Sequence, residues 1–235
     1  MGAVFRREFR SFFTNPIGYV VLAALFAFSG FYFYAYNMYS GQSDLSGVFG
    51  VLFTVSLLAL PFLTMRLFSE EKRQRTDQAL LTAPTGLTGI VLGKFFAALL
   101  LFLIAISITL VYAVIIAFQV TPDWLVLFGN YIGLLLLGGL ILSIGVFISS
   151  LTESQIIAAL GTLAVSLLMM SVDVLSSIFS SVTWITKVTA FLSISSRYGN
   201  LTSGLIQYDD ILFFLSLQAL FIFLTVRVLD SKRWN

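Results

Sequence analysis

Residues 66–94 read RLFSEEKRQRTDQALLTAPTGLTGIVLGK. The stretch carries eight charged residues in a chain with 13 basic and 11 acidic ones, a third of the total. Long apolar runs flank it on both sides. A segment this charged is unstable in hydrocarbon, so it stands in water, and its basic residues favour the cytoplasmic face. Glu70 precedes Arg73 at i+3 and Glu71 precedes Arg75 at i+4, the orientation that supports helix pairs. Residues 76–83 are good helix formers, and Ala83-Pro84-Thr85-Gly86 is a stop signal. The pattern predicts a short cytoplasmic helix, a turn, and a return to the membrane at Lys94.

Composition agrees. The chain has 235 residues, 59% hydrophobic and 10% charged, with a mean hydropathy of +1.00. Soluble domains carry roughly 25% charged residues, so this is an integral membrane protein. Cysteine and histidine are absent, which excludes disulfides, thiolate chemistry, histidine metal sites and histidine general bases. The basic residues sit beside the apolar runs, an arrangement for membrane orientation and not for nucleic acid. The first run, 17–39, is longer than the apolar core of a signal peptide and reads as a span that stays.

Outward from the polar stretch, the expected spans are about 17–39, 48–67, 95–118, 125–150, 156–172 and 211–228, all within one transmembrane domain over 1–235. Before the first, Phe5, Phe9, Phe12 and Phe13 share one helical face, with Arg6, Arg7 and Arg10 mostly off it. This predicts an interfacial helix with its arginines toward anionic lipid; a plain basic flank is the alternative. Asn15-Pro16 ends it. The outer half of span 1 is aromatic and reads as an interfacial belt, with a substrate-contacting patch as the other reading. Pro61 should kink span 2. Gly129 and Gly133 in span 4 form a G-x-x-x-G pair that admits a close helix neighbour. Residues 174–210 are only moderately apolar. A further span there would hold Lys187 at mid-membrane without a partner, so short outer helices are preferred. Asp209-Asp210 reads as a solvated helix start. Eleven of the 13 basic residues then fall on the cytoplasmic side, with Lys187 and Arg197 outside and both termini inside. The fold class is an all-α integral membrane protein of six transmembrane helices, with an N-terminal interfacial helix, a cytoplasmic helix between spans 2 and 3, and short outer helices before span 6.

The spans lack acids and bases in their central halves, which argues against ion coupling by this chain. The nearest phosphate-loop match, 88–95, has Thr88 where the first glycine belongs and Phe95 where Ser or Thr should follow the lysine, so Lys94 reads as an interfacial anchor together with Phe5, Arg6, Phe9 and Arg10. No catalytic or metal-ligating set stands out. A transport scaffold without an engine points to an engine on another chain.

Three runs carry a family resemblance: Arg66-Leu-Phe-Ser-Glu70-Glu71-Lys-Arg, Thr76-Asp-Gln-Ala-Leu80-Leu81-Thr-Ala-Pro84, and Ile90-Val-Leu-Gly93-Lys94-Phe95. They resemble the permease subunits of ABC-2 type transporters, closest to the branch of gliding-motility-associated and copper-maturation permeases. Gln74-Arg75 departs from the Ser-Gly often found there and should stiffen the helix start. The resemblance implies a half-transporter in a bacterial cell membrane, paired with a second permease chain and two copies of an ABC ATPase that bind ATP and Mg, with no cofactor on this chain. It also implies a coupling helix, 73–83, and a docking set of Glu70, Glu71, Arg73, Arg75, Asp77, Leu80 and Leu81, with Glu153 in a second contact. Relatives are often accompanied by a membrane protein with a large outer domain. Export across the membrane is the implied activity. Two alternatives stay open: a scaffold that passes ATPase motion to an outer partner, and an ion-coupled carrier. On this reading, removing the Glu71 charge should disturb docking and leave folding almost unchanged, unless the acids merely solvate the loop.

Overall fold

The computed structural model describes residues 1–76, 86–118, 120–172, 193–205 and 207–234, with 232–234 described by backbone alone. Asp77, Leu80 and Leu81, most of the 73–83 segment, Lys187 and much of 174–210 lie outside these residues. The regular structure among them is helical.

Helix α1 spans Gly2–Thr14. Phe12 is buried, and Phe5, Phe9 and Phe13 lie partly buried against the core, with Arg6 and Arg10 exposed on the other side. The rings form a row, Phe5 to Phe9 at 6.0 Å and Phe9 to Phe13 at 5.2 Å. Asn15 is extended (φ −105°, ψ 148°), as a residue before proline should be, and Pro16 opens α2 at a position where its missing N–H costs nothing. At the corner, a Cβ on Gly18 would lie 2.3 Å from the Phe12 carbonyl oxygen, so glycine is what lets α1 fold back on α2.

Helix α2 (Pro16–Tyr32) continues through a π-helical segment, Phe33–Tyr39. There the Phe33 ring stacks on Tyr112 at 4.3 Å. Helix α3 (Ser46–Thr64) contains Pro61 and, after a break at Met65, runs on as α4 (Arg66–Arg73). Then come α5 (Leu87–Ile106) and α6 (Ile108–Ala117), joined at Ser107, α7 (Trp124–Leu151), α8 (Gln155–Met170), α9 (Ile194–Thr202) and α10 (Tyr208–Trp234). Among the described residues, five stretches are long and apolar enough to cross a membrane: Pro16–Tyr39, Ser46–Arg73, Leu87–Ala117, Trp124–Leu151 and Tyr208–Ser231. Helix α8 is apolar but has 16 residues, about 24 Å at 1.5 Å per residue against a hydrocarbon core of about 30 Å.

Helix α7 is the core of the bundle and packs against α3, α4, α5, α8, α9 and α10. Its glycines set the close approaches. A Cβ on Gly138 would meet the Phe102 ring at 2.0 Å, and one on Gly145 would meet Thr64 Oγ1 at 2.0 Å.

Helix α4 directly extends α3 and ends at Arg73; the helix expected over 73–83 lies mostly outside the described residues. The return helix begins at Leu87, so Gly93 and Lys94 lie two turns inside it instead of at its entrance. Lys94 finds partners across the bundle, so helix can continue where hydropathy alone would place a loop.

Candidate functional site

At one end of the bundle α1, α4, α5 and the end of α7 converge. On α5, a Cβ at Gly93 would sit 3.2 Å from Val4 and from the Met1 carbonyl oxygen, and Gly89 also faces Met1. This small-residue face draws α1 against α5 and brings Glu8 to Lys94. Lys94 is 1% exposed. Its Nζ donates to Glu8 Oε1 at 3.1 Å and to the Leu67 carbonyl oxygen at 2.5 Å, and lies 2.9 Å from Glu71 Oε1. It also lies over the Phe68 ring, 4.9 Å from the centroid. Arg7 closes the cluster from the solvent side, 2.6 Å from Glu8 and 2.7 Å from Glu71. Partial burial acts to lower the Arg7 pKa, but the hydrogen bond and charge of Glu8, joined by those of Glu71, outweigh it and raise the pKa above its ordinary value.

The cluster is neutral: two cations and two carboxylates from three helices. The carboxylate side chains are mostly buried, Glu8 12% and Glu71 17% exposed. A buried ammonium without such partners costs several kcal/mol, so the arrangement holds α1, α4 and α5 in one register.

Helix α4 is tied to α7 as well. Phe68 and Ser69, in its first turn, donate their backbone N–H to Ser149 Oγ at 3.0 and 3.1 Å, and Ser149 Oγ donates to the Met65 carbonyl at 3.2 Å. First-turn donors lack helical partners of their own, and here a hydroxyl from another helix meets them. Lys72 is buried and its Nζ donates to the Ser150 carbonyl oxygen, where a cation also complements the negative end of α7.

The expected pairs within the helix are absent. Glu70 pairs with Arg66 at 2.6 Å, Glu71 turns inward, and Arg73 and Arg75 are exposed with no ion pair among the described residues. Arg75 has φ 56°. Its N–H donates to the Lys72 carbonyl and the Thr76 N–H to the Glu71 carbonyl, the two bonds of a left-handed helix stop usually built on glycine. Gln74-Arg75 therefore ends a helix and does not stiffen its start. Lys94, read as an interfacial anchor, has its ammonium buried. Glu153 is exposed in the turn after α7, on the same end as α4. Gly129 and Gly133 lie towards the other end of α7 and face Leu201 and Tyr198 of the short helix α9. There too the solvated Asp210 is corrected: it is buried and 2.9 Å from Arg197.

Glu8 escaped the sequence reading. It is the only acid before Asp44, and a lysine just inside an apolar run is the signal that an acid must meet it. Ser149 carried no such signal.

A neutral knot of charges linking helices, with long apolar helices on one side and exposed arginines on the other, defines an all-helical, multi-pass membrane protein with a rigid polar base. The family model described as ABC-2 family transporter protein matches residues 2–234. The chain belongs to that family. It is the permease component of a transporter, and its family implies partnership with an ABC ATPase. No curated protein matches the chain.

Proposed function

We propose that the chain is the membrane-spanning half of an ATP-driven exporter of the gliding-motility-associated branch. It has six spans, α8 being the fifth, with both termini in the cytoplasm. It pairs with a second permease chain and two ATPase copies, and an accessory membrane protein with an outer domain joins the complex. The stretch from α4 through residues 77–85 seats in a groove of the ATPase, with Arg73, Arg75, Asp77, Leu80 and Leu81 as the contact and Glu153 as a second one. Glu70 and Glu71 act from behind, by fixing α4.

One observation supports this above the others: α4 prolongs a spanning helix and is tied to α5 and α1 through Glu71 and Lys94, and to α7 through Ser149. A push on the exposed end would move several helices as one body. Sequence reasoning gave Glu71 a docking role with little effect on folding. With its carboxylate between Lys94 and Arg7, we reassign it to holding the base together.

The test separates the two roles. Arg73→Glu with Arg75→Glu, on exposed positions, should leave membrane levels unchanged and weaken ATPase retention on purification about thirtyfold, the loss that follows from contacts worth about 2 kcal/mol. Glu71→Lys should instead destabilise the permease itself by roughly 3–5 kcal/mol, because it adds a cation beside a buried one. Full retention and full coupled transport in the arginine double variant would end the docking assignment.

A further inference from the structure

Opposite the charge cluster, the loop before α3 and the loop before α7 enclose a cleft of about 350 Å³. We propose that it binds an organic monocation, an ammonium or guanidinium group on a short apolar body. Among the described residues its charged lining is Asp44 and Asp123, with no lysine or arginine. Each carboxylate uses one oxygen at a helix start: Asp44 Oδ1 accepts from the Ser46 N–H and hydroxyl, and Asp123 Oδ1 accepts from the Leu125 and Val126 N–H groups. The second oxygen of each makes no hydrogen bond or ion pair among the described residues.

Capping alone would explain two aspartates. It does not explain Asn130, which also lines the cleft and is 2% exposed. Its Nδ2 donates to the Val126 carbonyl at 2.8 Å and the Thr202 carbonyl at 3.1 Å. Two acceptors on that side fix the amide orientation, so Oδ1 is the atom left for the cleft, and no donor among the described residues reaches it. Oδ1 opens to the cleft and is free to accept from a ligand N–H. The cleft thus offers three acceptors, two of them anionic, above the buried apolar side chains of Leu45, Phe49 and Leu127.

Size and charge narrow the ligand. The volume falls within the range of small-molecule sites and is far larger than a bare metal ion needs. The N-termini of α3 and α7 contribute about half a positive charge each, which offsets part of the two carboxylates and leaves a field suited to one cation. The proposal rests on the orientation above only for the side from which the ligand arrives.

The purified cysteine-free protein allows a direct test with Ser43→Cys, a substitution on the rim of the cleft. A cationic thiosulfonate should modify this cysteine about tenfold faster than an anionic one, as field focusing in a cleft predicts. Millimolar butylammonium should slow both reactions; n-butanol and sodium at equal ionic strength should not. Adding Asp44→Asn and Asp123→Asn should abolish the rate ratio and the protection while keeping the helix starts, since asparagine caps as well as aspartate. Equal rates, protection by butanol or by sodium to the same degree, or protection that survives the double substitution would each overturn the site. In sealed, right-side-out vesicles the same cysteine reports the side. Butylammonium protection in detergent with no labelling in vesicles supports the site and overturns the orientation.

Discussion

Lys94 and Arg75 show how much a single residue's meaning depends on its surroundings. Lys94 is an ammonium inside an apolar helix, held there by Glu8 from α1 and Glu71 from α4. Neither acid is near it in sequence. Arg75 sits at φ 56°, where a Cβ crowds the following carbonyl oxygen and costs roughly 1–2 kcal/mol. Arg75→Gly should therefore raise the stability of the purified chain by about 1 kcal/mol, measured by thermal unfolding in detergent. Arg75→Ala, which keeps a Cβ, should bring no comparable gain. An equal gain in both variants would mean that the arginine side chain, and not its backbone angle, carries the cost.

Among the elements, α4 matters most because it is a short helix without independent stability. Eight residues are too few to stay helical in water unaided. It persists because α3 runs into it and because α7 supplies Ser149 and the Ser150 carbonyl. Ser149→Ala removes the acceptor shared by two backbone N–H groups, a loss of about 1–3 kcal/mol. The amides of Phe68 and Ser69 should exchange with solvent about tenfold faster or more, by hydrogen-exchange mass spectrometry, while amides at the centre of α7 keep their protection. Unchanged exchange at Phe68 and Ser69 would mean that α4 meets its own donors and that the tie to α7 lies elsewhere.

Over the whole molecule, charge is distributed by end. The base holds Arg7 and Lys94 with Glu8 and Glu71, and Lys72 on the Ser150 carbonyl, and the opposite end holds Asp44, Asp123 and the Arg197–Asp210 pair. With basic residues on the cytoplasmic side, cysteines introduced by Ser43→Cys and Thr202→Cys should react with an impermeant thiol reagent from outside intact cells. Thr76→Cys and Ser154→Cys should react only after permeabilisation. The native chain has no cysteine, so the background is clean. Labelling of Thr76→Cys from outside would invert the orientation and with it the docking assignment of α4.

Hydropathy and its period are local properties, and what depends on them was legible in the residues: a membrane protein, the first, fourth and last of the long helices within a few residues, and the amphipathic first helix. The Asn15-Pro16 break and the glycine-rich fourth span belong here too, because backbone chemistry at those positions is set by the residue itself. Partner choice is not local. Glu71 has basic residues at helical spacing on its own helix, yet its carboxylate lies with Lys94 and Arg7, 23 and 64 positions away in the chain. Burial in a low-dielectric junction strengthens that pairing far beyond an exposed pair along a helix. The same reason governs Lys94, buried instead of anchoring at the surface, and Asp210, paired with Arg197 instead of solvated. Only tertiary packing could decide these, the convergence of α1, α4, α5 and α7 for Glu71 and Lys94 and that of α9 and α10 for Asp210, because packing sets which charges lose their water together.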